Sequence, residues 1–143
     1  ETTRREVDGR PADVVAERFE PIANGATLAA GDVVEVRLLI DSKNDYEHLL
    51  FEDMKPAGFE PLEVRSGGRY ENGICSNIEF RDRKTALFVT WLEQGKHVVK
   101  YRLRAELPGE LRAAPARGEA MYAPDIGGTS SSFRFTVKDA RVR

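Results

Sequence analysis

The sequence predicts an all-β fold, a sandwich of short antiparallel strands. Three observations carry this: two-residue alternation of apolar and polar residues, Gly and Pro punctuation at short intervals, and almost no helical periodicity. Alternation is cleanest over residues 97–107, where His97, Val99, Tyr101, Leu103, Ala105 and Leu107 share one phase and Lys100, Arg102, Arg104 and Glu106 the other. A strand with one face on a core and one in water has this signature. Val34, Val36, Leu38 and Ile40 alternate in the same way with Glu35 and Arg37, and Phe133, Phe135 and Val137 with Arg134, Thr136 and Lys138.

Further strands are predicted at 46–54, 59–65, 78–82 and 85–92, the apolar run 86–91 suiting a strand covered on both faces. Glu93-Gln94-Gly95 is then expected to be a hairpin turn into the next strand. Gly31-Asp32, Pro56-Ala57-Gly58, Ser66-Gly67-Gly68, Pro108-Gly109 and Gly127-Gly128 mark the remaining turns, spaced as in a sandwich. The single helical candidate covers residues 12–18, and 138–143 is expected to be a frayed tail.

At 143 residues, 41% hydrophobic and 32% charged, the chain suits one domain (1–143) with a single core. Lys plus Arg number 22 against 24 Asp plus Glu, a net charge of −2, which supplies no broad positive field to draw the chain onto phosphate backbones. Nucleic acid is not an expected partner. Cys75 is the sole cysteine, so an internal disulfide and a Cys-rich metal site are both excluded, while compartment stays open. No apolar run approaches the roughly 20 residues that cross a bilayer as a helix, and direct membrane insertion is not expected. The opening Glu1-Thr2-Thr3-Arg4-Arg5-Glu6 lacks a signal-peptide core and an initiator Met, which suggests a piece of a larger or processed chain.

Catalytic constellations are scarce, and no enzyme activity is expected. Nucleophilic hydrolysis needs a Ser or Cys beside an oriented base. Of the two histidines, His97 lies on the apolar phase of its strand, where a packed core role outweighs a catalytic one, and His48 is expected to be a partly exposed sheet residue. Cys75 is expected to be a small buried hydrophobe, with a reactive thiol as the alternative. Asp41, Asp45, Glu47, Glu52 and Asp53 could gather oxygen ligands for calcium, yet their spacing fits no calcium loop and a solvated sheet face is the plainer reading. Ser66-Gly67-Gly68-Arg69 lacks the spacing of a phosphate cradle. No metal and no cofactor is therefore expected. Tyr46, Phe51 and Phe59 could form a peptide-binding face, but aromatics on strands usually fill the space between sheets.

Met121 and Tyr122 stand apart. They are adjacent large side chains in a Gly- and Pro-bounded loop, Gly118-Glu119-Ala120-Met121-Tyr122-Ala123-Pro124. Two readings remain open: a plug tucked under the end of the sandwich, or an apolar cap pressed against another surface.

With residues 40–46, 51–61 (Phe-Glu-Asp-Met-Lys-Pro-Ala-Gly-Phe-Glu-Pro), 101–109 and 120–124 (Ala-Met-Tyr-Ala-Pro), the chain resembles the C-terminal domain of bacterial alpha-2-macroglobulins, from about Val33 to about Val137. That domain is the counterpart of the receptor-binding domain of the animal proteins. The resemblance implies an immunoglobulin-like macroglobulin sandwich at the end of a very large protein of the periplasm or cell envelope. Such proteins inhibit proteases broadly by entrapment: a bait segment is cut, the molecule rearranges, and an internal thioester can bond to the protease. The family's thioester motif, Cys-x-Glu-Gln, belongs to a separate helical domain. Here Trp91-Leu92-Glu93-Gln94 mimics its end, with Trp in the cysteine position, so this segment cannot form a thioester.

In thioester-bearing relatives, aromatic and sulfur side chains of this domain cover the thioester, and the matching positions are Met121 and Tyr122. The resemblance thus implies a non-catalytic domain whose partners are the thioester-containing domain and other macroglobulin domains of its own chain, meeting proteases only through the full-length parent. Animal relatives engage a clearance receptor through lysines on a helix that has no counterpart here, so the receptor role is not carried over. The alternative from another class is an autonomous adhesion or ligand-binding sandwich presenting loops such as 66–73.

Overall fold

The structure, a computed structural model, describes residues 2–7, 10–15, 21–62, 67–71 and 74–139. These residues form strands and turns and no helix. In chain order the strands are β1 (Thr2–Val7), β2 (Arg10–Val15), β3 (Ala26–Ala29), β4 (Val33–Ser42), β5 (Tyr46–Met54), β6 (Phe59–Pro61) and β7 (Gly67–Glu71). They continue as β8 (Ile74–Phe80), β9 (Lys84–Leu92), β10 (Gly95–Ala105), β11 (Gly109–Ala113), β12 (Arg117–Ala120), β13 (Ala123–Thr129) and β14 (Phe133–Lys138).

One layer is a six-stranded sheet in the order β13-β12-β5-β9-β8-β7. The opposite side is built from two three-stranded sheets, β4-β10-β6 and β11-β14-β3, in which β14 and β3 run parallel. Backbone hydrogen bonds Gly31 N–H to Ala105 O, at 2.7 Å, and Ala105 N–H to Asp32 O, at 2.9 Å, tie the bend between β3 and β4 to β10. Strands β1 and β2 form a separate antiparallel pair.

The alternation in β10 is what builds the core. His97, Val99, Tyr101, Leu103 and Ala105 are all buried, as the two-residue period requires, and meet Leu49, Leu87, Val89, Leu92, Ile74 and Ile78 of the six-stranded sheet. Phe59 is only 1% exposed and packs its ring edge-on to Phe135 at 5.2 Å between centroids. Tyr46 and Phe51 also pack against this core, so the three aromatics fill the space between sheets. Buried His97 is satisfied by donating from Nε2 to the Glu93 carbonyl at 2.7 Å.

Three sequence expectations are corrected. Residues 10–15 are strand β2, which leaves no helix over 12–15; 16–18 lie outside the described residues. Glu93-Gln94-Gly95 is not a hairpin turn: β9 pairs with β5 and β8, whereas β10 pairs with β4 and β6. Both strands carry an apolar face, and the two faces are buried together only when the strands lie in opposite layers, so the chain crosses between sheets at this step. Gly95, at φ 126°, takes a backbone angle closed to other residues, and the Asp45 carboxylate caps the Gln94 N–H at 2.7 Å. Gly67-Gly68 and Gly127-Gly128 are not turns but lie inside β7 and β13.

Candidate functional site

The stretch from Gly118, expected to be a loop, lies in a hairpin instead, formed by β12 and β13. Strand β12 adds to the edge of β5 with Ala120 opposite Leu49 and Gly118 opposite Phe51, and β13 closes the sheet beyond it. Ala120 is opposite Ala123, so Met121 and Tyr122 are the two residues of the turn. Among the described residues, only His48 and glycines have positive φ, so this turn is not one of the primed types that match hairpin twist, and large side chains fit it without backbone strain. The mismatch is absorbed next door: pairing jumps from Ala120↔Ala123 to Glu119↔Gly127, leaving 124–126 as a bulge in β13.

The turn does not plug the core. Ala120 is buried and Ala123 packs against the core cluster, but Met121 is 40% exposed and Tyr122 is 84% exposed. A tyrosine so exposed at a turn leaves most of its ring outside the core, so the tucked plug, one of the two readings left open by the sequence, does not hold for Tyr122.

His48, expected to be a partly exposed sheet residue, is an exposed residue of β5, and it touches this turn in a way the sequence did not announce. His48 accepts the Met121 N–H through its carbonyl at 2.9 Å, and its ring meets Tyr122 edge-on, 5.5 Å between centroids and 88° between planes. His48 has φ 55°, in the left-handed region. A signal for this existed: Tyr46 and Leu49 both face the core although they are three residues apart, and so do Val89 and Leu92 on the neighbouring strand. An odd spacing between inward residues requires a phase slip. The β8–β9 register slips at the same level, with Ser76 opposite Val89 and Cys75 opposite Trp91. Trp91, expected in a doubly covered run, is for that reason 38% exposed, and Cys75 is half-buried rather than sealed in the core.

The carboxylates do not converge. Asp45 caps Gln94, Glu52 pairs with Lys84, and Asp41 and Glu47 are exposed. Asp53 departs from the expected solvated face, because its side chain turns inward to accept the hydroxyl of buried Tyr101. Burial raises its carboxyl above the ordinary value, outweighing the Tyr101 hydrogen bond that lowers it. Burial first, then the Asp53 charge and the hydrogen bond to it, raise Tyr101 in turn. Among the described residues no group of three or more His, Cys, Asp or Glu could hold a metal ion.

Two layers with this topology, carrying an exposed turn on the edge hairpin, define an immunoglobulin-like β-sandwich. Solved structures share it. The chain overlays native alpha-2-macroglobulin from Escherichia coli, spanning domain MG7 to the C-terminus, with TM-score 0.63 and 23% identity over 78% of this chain and 20% of that one. It overlays a Salmonella alpha-2-macroglobulin mutant with TM-score 0.65 and 23% identity over 79% of this chain and 8% of that one. The family description "Bacterial Alpha-2-macroglobulin MG10 domain" matches residues 3–125, and the chain belongs to that family.

Among its curated relatives, an alpha-2-macroglobulin homolog of Nostoc is 28% identical over 123 residues, 79% of this chain and 6% of that protein. Circularly permutated Ras protein 2 of Dictyostelium discoideum is 30% identical over 110 residues, 77% of this chain and 3% of that protein. The chain therefore spans a small fraction of the length of the relatives it matches.

Proposed function

We propose that this chain is the C-terminal, non-enzymatic domain of a bacterial alpha-2-macroglobulin-like protease inhibitor of the periplasm or cell envelope, and that it docks through Met121 and Tyr122 on the thioester-containing domain of its parent. The observation that carries the reading is the 84% exposure of Tyr122 at the tip of the β12–β13 hairpin, in a chain belonging to the MG10 family. Docking there would keep water from an activated acyl group, whose lifetime depends on that exclusion. A latch of this kind biases the native state only by binding it better than the sprung one. Proteases are met by the parent, not by this domain.

The test is methylamine incorporation and protease trapping by the full-length parent, wild type against Tyr122→Ala. A buried interface aromatic is worth about 2 kcal/mol, so the latched-to-unlatched ratio should fall by about 30-fold and the thioester should be lost faster. Unchanged thioester lifetime and trapping, or a parent that releases no thiol with methylamine, would refute the proposal.

A further inference from the structure

We infer that His48 is the positioning residue of the latch, holding the Met121–Tyr122 turn in the orientation that docks. The inference rests on the docking role proposed for that turn. Six described residues have clearly positive φ, and five of them, Gly25, Gly31, Gly58, Gly95 and Gly109, are glycine. The sixth is His48, at φ 55°. Most side chains are disfavoured in this conformation, where glycine is at ease and His is one of the better-tolerated exceptions; an imidazole kept there in place of glycine, with its ring against that of Tyr122, points to a use for the ring.

The use is visible in what surrounds it. The phase slip at His48 turns its carbonyl toward the hairpin, where it receives the Met121 N–H at 2.9 Å. The same slip sets its ring perpendicular to that of Tyr122, at 5.5 Å. Tyr122 is 84% exposed, and the edge-on contact with this ring favours one setting of its side chain before any partner arrives. A side chain ordered in advance gives up less conformational freedom on docking, and the latch closes more tightly for the same contacts.

Backbone and ring can be separated. His48→Gly keeps the carbonyl, suits the left-handed backbone and removes only the ring; His48→Phe restores an aromatic edge without the imidazole nitrogens. In the full-length parent, His48→Gly should leave thermal stability equal or higher yet speed methylamine reaction about 2- to 10-fold, the scale of one edge-to-face aromatic pair. His48→Phe should recover most of the wild-type lifetime. His48→Gly combined with Tyr122→Ala should react no faster than Tyr122→Ala alone, because the ring acts through the tyrosine.

Faster reaction in Tyr122→Ala but a wild-type rate in His48→Gly would overturn the positioning role while leaving the docking proposal intact. A wild-type rate in Tyr122→Ala would remove both. A loss in His48→Gly that tracks a lowered melting temperature, or that His48→Phe does not recover, would assign His48 to the fold rather than to the latch.

Discussion

Gly127→Ala and Gly128→Ala are neighbouring, chemically identical changes with opposite expected outcomes. A Cβ on Gly127 would lie 2.5 Å from the Gly118 carbonyl oxygen and 3.4 Å from the Glu119 Cα, while one on Gly128 meets nothing within 4 Å. Carbon does not approach an atom inside 3.0 Å, so β13 would have to move away from β12 by at least about half an ångström. The obstacle is backbone, and β12 is itself held in register against β5 at Gly118↔Phe51, so no side chain can rotate to make room.

Overpacking of this sort costs about 1–3 kcal/mol. In a chain of this size that is a loss of roughly 3–10 °C in Tm. Gly128 has no left-handed φ and open space at its Cβ, so alanine there should stabilise by about 0.4–1 kcal/mol through the unfolded chain. Thermal melts of the two variants side by side, followed by circular dichroism, read the difference. Equal melting temperatures would refute the claim that β12 and β13 approach this closely, and with it the geometry of the hairpin that carries Tyr122.

Two other outcomes follow from the core. Phe59→Ala, removing a ring only 1% exposed and packed on Phe135, should cost about 3–5 kcal/mol, seen as a lower urea midpoint at unchanged slope; a loss under about 1 kcal/mol would mean β6 is not anchored by it. Asp53 has a folded-state carboxyl raised by burial above its unfolded value, so it binds its proton more tightly when folded. Its favourable contribution is complete below the ordinary value of 3.8 and is lost as pH rises through the folded value. The stability of Asp53→Asn should therefore gain on that of wild type as pH rises above 3.8, and a difference that does not change with pH would refute the buried-carboxyl account.

The strands that carried a clean alternation were legible because burial on one face imposes a period of two on the sequence. Strand β5 was bounded correctly at 46–54, and β4, β10 and β14 to within two residues, except that the one-face pattern of β10 runs on to Leu107, which is exposed. Weaker segments failed where a local rule met a tertiary one. Gly127-Gly128 has the composition of a turn, yet both lie inside a strand and Gly127 serves the close approach of β13 to β12, a demand made by Gly118, nine positions away. The exposed pair Met121 and Tyr122 could be picked out from the chain alone, but whether it plugged the core or stood free could not, because that depends on how far β12 carries it past Leu49.

By itself, the sequence determined the all-β class, the apolar faces of β4, β10 and β14 and the singular pair at 121–122, since each is a property of neighbouring residues. Tertiary structure alone decided that β9 and β10 part into opposite layers instead of pairing, since the choice between a hairpin and a crossover is made by which arrangement buries both apolar faces. It also decided the setting of His48: its left-handed backbone answers a phase slip shared by β5 and β9, and its ring meets that of Tyr122, 74 positions along the chain.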